Sequence, residues 1–243
     1  MISIVIPYFE DPMRLELTLD NPHLWNYFDE VYLIDDGSER HPAAPICKEF
    51  LERCCCHRKK FYCYTVTHNL GFNAHGARNL GMSLVKTPWA LMIDIDQELT
   101  KDFCEDLIQT VKQAKEDEYV VLSMLGGDAG NLFAIRKSHF WKAGGYDEEF
   151  VGYHMGDRFF RDRLDKFLNQ THVSTEIKTN RMGRKSKSDP KVVKSWYPDD
   201  NTVINPPQNS HFDNMCEMVR IRNESPDTWK DIPVLNFNWR RSI

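Results

Sequence analysis

The chain lacks several features that would assign it to a class at once. No uninterrupted apolar run approaches the roughly 18 residues needed to cross a bilayer. Its opening, MISIVIPYFED, has neither the basic flank nor the small-residue cleavage site of a secretory leader. These absences predict a soluble, cytoplasmic protein. Positive charge is not in excess either: 31 Lys and Arg stand against 36 Asp and Glu, for a net charge of −5. No global cationic field therefore recruits nucleic acid, and an anionic ligand must be held by a metal ion, an arginine or a helix N-terminus. There are 7 cysteines, an odd number, and three of them are the consecutive Cys54, Cys55 and Cys56, which cannot readily bridge one another. With Cys63 they suggest zinc, but a second well-spaced pair is missing, so reduced thiols at a helix end and strand start are the plainer reading. There is no internal repeat and no long low-complexity tract.

What is present is 243 residues, enough for a single domain spanning 1–243 with a sizeable core. The pattern alternates. Apolar β-branched runs at Ile2–Ile6, Val31–Ile34, Tyr62–Val66, Ala90–Ile93 and Tyr119–Met124 read as strands. Between them, Pro12–Asn26, Ile46–Cys56, Asn73–Val85 and Lys101–Lys115 read as helices. Strands separated by helices predict βαβ crossovers and an α/β fold, a mostly parallel central sheet flanked by helices. After about residue 128 the pattern loosens, and 179–207 reads as a polar loop.

Polar clusters follow the strands: Tyr8-Phe9-Glu10, Asp35-Asp36-Gly37-Ser38 and Asp94-Ile95-Asp96. In an open parallel sheet the carboxyl ends of the strands share one edge, where ligands bind. Asp94 and Asp96 can both reach a divalent cation, and their hard oxygens suit Mg2+ or Mn2+. The same D-x-D is equally an Asp turn closing a strand. Asp36 can accept a base imide proton or ribose hydroxyls, and DDGS is also ordinary turn chemistry. The stretch His68-Asn69-Leu70-Gly71 to Gly81 joins a glycine-bearing loop to a helix start. Arg78 lies one or two turns in, suited to a diphosphate or to a structural ion pair. Asp157, after Gly156, opens GDRFFRDRL, where a helix dipole favours the carboxylate and permits either general-base work or simple capping.

Together ISIVIPYFED, LIDDGS, HNLGFNAHGARNLG, LMIDIDQEL and GGYDEEF followed by GDRFFRDRL resemble a family 2-type glycosyltransferase with the GT-A fold. They fall in the family's order across roughly residues 1–165. The resemblance implies a nucleotide-sugar-binding half, 1–125, and an acceptor-binding half, 126–243, with a flexible basic loop near 178–207. It implies a nucleoside diphosphate sugar donor, UDP-linked by preference, a glycan or glycolipid acceptor, and Mn2+ or Mg2+. It places Pro7, Tyr8 and Glu10 at the base and ribose end, Asp36 on the base and Arg78 on the nucleotide or diphosphate. Asn69, Gly71 and Ile95 complete that set. Asp94 would touch ribose or the metal, Asp96 would ligate the metal, and Asp157 would be the catalytic base. The family's E-D pair is here Gly156-Asp157, so the first acid is missing. His211, with His154 and His172 as rivals, would complete the metal site.

Several readings remain beside this one. A sugar nucleotidyltransferase shares a nucleotide crevice and a metal, but Pro7-Tyr8-Phe9-Glu10 is not its glycine-rich phosphate loop. A GT-A-like protein that binds nucleotide sugar or glycan without catalysis fits the missing acid at 156. The segment 178–194 carries Lys178, Arg181, Arg184, Lys185, Lys187, Lys191 and Lys194 against Asp189 alone, and reads as a solvated loop or as a lid over a diphosphate. Contact with a membrane surface, without a span, is compatible with a lipid-linked acceptor.

Overall fold

The computed structural model describes residues 1–53, 60–71, 73–124, 127–150, 156–179 and 210–243, with side chains for all of these except 124, 127–130, 210–212 and 215. The expected strands are all present. β1 (Ile2–Tyr8), β2 (Glu30–Asp35), β3 (Lys60–Val66) and β4 (Trp89–Met92) run parallel, in spatial order β3-β2-β1-β4. β1, β2 and β4 are buried almost throughout. Such continuous β-branched and aromatic runs are what a sheet covered on both faces requires.

The first expected helix is two. α1 (Pro12–Leu19) and α2 (Pro22–Tyr27) are separated at Asp20-Asn21, because Pro22 cannot continue α1 and suits the first turn of a new helix. Asn21 caps that turn by accepting from the His23 N–H at 2.9 Å. α3 (Ala43–Arg53), α4 (Ala74–Leu84) and α5 (Lys101–Gln113) match the other expected helices, α3 beginning three residues earlier. The Cys54–Cys56 run lies outside the described residues. Cys47, Cys63, Cys104 and Cys216 are free and buried.

The sheet departs from expectation beyond β4. A strand not anticipated, β7 (Gly127–Arg136), lies antiparallel between β4 and β6 (Glu118–Met124). The full order is β10-β3-β2-β1-β4-β7-β6-β8, with β8 (Asn169–His172) on one edge and the antiparallel β10 (Trp239–Arg241) on the other. Residues from both sequence halves therefore build one sheet. A second, two-stranded sheet pairs β5 (Gln97–Glu98) with β9 (Lys178–Thr179). The remaining described α-helices are α6 (Lys137–Lys142), α7 (Gly156–Leu164) and α8 (Ser210–Asn223). No described helix is long and apolar enough to cross a membrane.

Two large apolar clusters, one on each sheet face, form most of the core. Leu15, Trp25, Phe50 and Phe103 fill one; Leu80, Phe140, Tyr146 and Phe160 fill the other. A small third cluster of Phe150, Phe159, Cys216 and Val219 joins α7 to α8. On the second face α4 lies directly on β1. A Cβ at Gly81 would fall 2.3 Å from a Val5 methyl, so only glycine allows this approach. That contact sets the depth of α4 and the position of the side chains one turn before Gly81.

Candidate active site

The carboxyl ends of β1, β2, β3 and β4 lie on one edge, and the loops that follow them meet there. β2 ends in two buried acids. Asp35 accepts from the Ser38 and Ala43 N–H groups, at 2.9 and 2.8 Å, which folds the turn and starts α3. Asp36 accepts from the Asn73 N–H at 2.9 Å, tying β2 to the residue that precedes α4. Burial pushes the Asp36 carboxyl well up, only partly offset by Asn73. Its Oδ1 has no hydrogen-bond partner among the described residues.

At the start of α4 the side chains turn inward. His75 and Arg78, one turn apart, share a face and are both buried. Arg78 donates from Nη2 to Asp94 Oδ1 at 2.5 Å and from Nη1 to Asp157 Oδ1 at 3.1 Å. Its carbon Cζ stands 5.6 Å from the Tyr146 ring centroid. Arg78 therefore does not offer its fork to the crevice. It is the ion-pair bridge between two carboxylates contributed by the β4 end and the α7 start. Asp94 is gripped from the other side by the Asn131 amide, which donates to Oδ2. Asn131 lies on β7 two residues before Phe133, the partner of Met92, so the continued antiparallel register sets it opposite Asp94.

The two bridged acids titrate in opposite directions. Burial raises the Asp94 carboxyl, Arg78 lowers it, and the like charges of Asp96 and Asp157 raise it again, leaving it above the ordinary value. For Asp157 burial also raises, but Arg78, His75 and Tyr146 outweigh it and hold the carboxyl below the usual range. Asp157 is thus an anion at neutral pH, with about a quarter of its side chain (24%) exposed to the crevice. Asp96 accepts from its neighbour Gln97 at 2.8 Å.

The other expected residues take varied places. Tyr8 is buried, its hydroxyl donating to the His41 carbonyl at 2.5 Å, so it faces the core beneath the turn. Glu10, at φ +50°, accepts from the Glu39, Arg40 and His41 N–H groups and clamps the β1 and β2 loops together. Pro7 pairs with Ile34 inside the sheet, and Ile95 packs partly against the core. Asn69 is exposed and accepts from the Gly71 N–H at 2.8 Å, a local turn with Gly71 at φ +78°. His172 is exposed on β8, three strands from β4. His154 and residues 180–194 lie outside the described residues, as does the side chain of His211, whose backbone begins α8.

Sequence reasoning missed four contributors. Asn131 sits in a strand that was not expected. His75, Asn79 and Tyr146 lie within the quoted motifs but were given no task. Asn79 exchanges hydrogen bonds with both the N–H and the carbonyl of Tyr146, at 2.8 and 2.9 Å, and also donates to Glu148 at 2.8 Å. Glu148 in turn accepts from the Leu235 and Asn236 N–H groups. Asp147, fully buried, pairs with Arg222 of α8. The GGYDEEF loop is thereby fastened to α4, to α8 and to the C-terminal segment, which fixes where α7 and Asp157 begin.

A sequence profile described as "Glycosyl transferase family 2" matches residues 3–189. No curated protein matches the chain. Among solved structures, GalNAc-T7 with UDP, GalNAc and Mn2+ has a TM-score of 0.62 at 15% identity, over 74% of this chain and 43% of that one. The mannosyltransferase PcManGT from Pyrobaculum calidifontis, in complex with GDP-Man and Mn2+, gives 0.59 at 14%, over 75% and 57%. TarS from S. aureus gives 0.59 at 12%, over 73% and 36%. The chain thus spans between about a third and three fifths of the length of these neighbours. At these identities the likeness establishes the fold.

Proposed function

The chain belongs to glycosyl transferase family 2 and has the GT-A fold, and from that premise we propose that it moves a sugar from a nucleoside diphosphate sugar to a hydroxyl of a glycan acceptor, inverting the anomeric centre. The observation that carries this reading is Asp157, an ionised carboxylate at a helix start, partly open to the crevice and joined through one buried guanidinium to the acid that ends β4. Asp157 accepts the proton of the acceptor hydroxyl. The resulting oxygen attacks the anomeric carbon from the face opposite the leaving diphosphate, and a single displacement of that kind inverts the centre. A carboxylate held low is a modest base, so its contribution comes from being in place and charged rather than from strong basicity.

A divalent cation fits the crevice on charge. Arg78 bridges Asp94 and Asp157, and the like charges of Asp96 and of Asp157 each still raise Asp94. Their hard oxygens suit Mn2+ or Mg2+. Both Asp94 oxygens are engaged by Arg78 and Asn131, so Asp94 orients the site, and in this reading Asp96, two residues on, is the ligand. Among the described residues no three His, Cys, Asp or Glu side chains gather at one point, so donor phosphate oxygens and water would complete the shell. When bound, the ion supplies charge stabilisation for the departing diphosphate.

A uridine donor is favoured by Asp36, a buried acid at the end of β2 whose chemistry suits an imide N–H. Of the structural neighbours, GalNAc-T7 holds UDP, a TarS structure holds UDP-GlcNAc and PcManGT holds GDP-Man. The test is thermal shift with UDP-GlcNAc, UDP-GalNAc and GDP-mannose, each with and without Mn2+, followed by turnover of whichever binds. Asp157→Asn should lower kcat by about 10²- to 10⁴-fold with donor binding nearly intact. A variant with wild-type turnover would falsify the base assignment. Heat protection by a donor with no turnover in the wild-type chain supports the non-catalytic binding reading instead.

A further inference from the structure

Asp157 is braced from two directions by residues one turn apart on α4. Arg78 donates to Oδ1, and on the other side the His75 ring brings Nε2 to 3.8 Å from Oδ2. His75 is fully buried and its ring is tightly boxed. The Tyr146 ring lies beside it, centroids 5.2 Å apart, and Tyr146 itself stacks on Phe160 at 4.5 Å. The third wall is Gly156. A Cβ built there would fall 2.7 Å from both Cε1 and Nε2 of His75. The ring of a buried histidine in α4 and any side chain at the start of α7 therefore compete for the same space. Here the histidine has it, and the residue next to Gly156 is the carboxylate it touches.

We propose that His75 is a positioning residue for Asp157, its ring occupying the room left by the glycine at 156 and restricting the carboxylate to the orientation that keeps Oδ1 on Arg78. The role rests on Asp157 being the base, as proposed above. The glycine at 156 is thus the complement of His75. Deleting the histidine leaves Asp157 with Arg78 on Oδ1 and Tyr146 beside it, but removes the ring that fills the space next to Oδ2, so the carboxylate can turn away from the acceptor. The residues assigned above to the donor and the metal, Asp36 and Asp96, are not in this contact.

The experiment uses the full chain and reads release of UDP or GDP from UDP-GlcNAc, UDP-GalNAc or GDP-mannose in Mn2+, with water as the acceptor, alongside thermal unfolding. His75→Ala is expected to lower kcat by about tenfold or more with donor KM within about twofold. His75→Gln, whose amide can reach the same oxygen, is expected to recover most of that loss. A filler with only a structural role would instead lower activity in step with the folded fraction for both variants. Gly156→Ala is expected to lower the melting temperature by several degrees, and adding His75→Ala should regain at least about 2 °C of it, since contacting residues are not additive. Strict additivity of that pair, or a folded His75→Ala with wild-type kcat, overturns the proposal alone. A wild-type chain inactive with every donor overturns the catalytic reading and the role of His75 with it.

Discussion

Removing the Arg78 guanidinium isolates its contribution most directly. Arg78→Met keeps much of the side-chain volume and leaves Asp94 and Asp157 facing each other without the cation between them. Breaking a fully buried pair by deleting one partner costs about 3–5 kcal/mol. Both carboxylates here are partly exposed, at 34% and 24%, so solvent screening takes up part of that. A loss of about 2 kcal/mol is the reasonable figure, or roughly 4–8 °C in melting temperature for a chain of this size. The sign with pH is fixed by the two acids. With Arg78 present, Asp157 is held below its unfolded value, so it contributes stability above the ordinary carboxylate range that is lost as pH falls through its folded value. Without Arg78, both acids lose their main lowering influence, so Asp94 rises further and Asp157 shifts up toward it. The folded variant then binds protons more tightly than the unfolded chain and weakens as pH rises. The gap between wild type and variant should therefore be widest near pH 7 and narrow toward pH 4.5. Differential scanning fluorimetry at both pH values, in EDTA so that no metal intervenes, measures it. A loss below about 2 °C at pH 7, or the same loss at both pH values, would refute the assignment of Arg78 as the bridge.

Two further outcomes follow from the same geometry. Asn131→Asp keeps the shape of the side chain but sets a carboxylate against Asp94, and should lower the melting temperature at pH 7 more than Asn131→Ala does; equal losses would mean the amide does not hold Asp94. Arg163, fully buried, donates to the Ala143 and Gly145 carbonyls and to Asn223, and burial lowers its pKa to about 10. Arg163→Met strands those acceptors at the junction of α6, α7 and α8, and an expected loss of about 3 kcal/mol, or roughly 6–12 °C, is read from thermal unfolding; a change under about 2 °C would show that the acceptors find other partners.

The parallel half of the sheet was legible because each of its strands carries the whole signal within itself. Val31–Ile34 and Ala90–Ile93 are buried on both faces, so no alternation is needed and none is seen. The helix break at Pro22 could have been read from Asn21-Pro22, a capping residue followed by proline. β7 is harder. Its outer part is Gly127-Asp128-Ala129-Gly130-Asn131, glycine-bearing and polar, and only Leu132–Ile135 reads as strand. What recruits it is the edge that β4 exposes, a tertiary cause that leaves little trace in the local sequence.

The site divides along the same line. Asp94 and Asp157 are brought together by Arg78, a link that neither periodicity nor spacing reveals. Some motif residues also serve the scaffold, which their position in a motif does not reveal. Tyr8 reads as a ligand contact because it ends β1, yet an aromatic ring at a fully enclosed strand end finds more stabilisation in the core, and its hydroxyl is satisfied by one carbonyl below. Glu10 reads as a contact at the base and ribose end of the donor, and three consecutive backbone N–H groups also bind its carboxylate. Gly156 shows the converse. As an absent acid it looks like a loss of function, whereas the ring lying 2.7 Å from its missing Cβ makes it a steric requirement. Its significance is therefore readable only together with His75, a residue 81 positions away in sequence, and the pair, not either residue, is what a comparison among members of this family should follow.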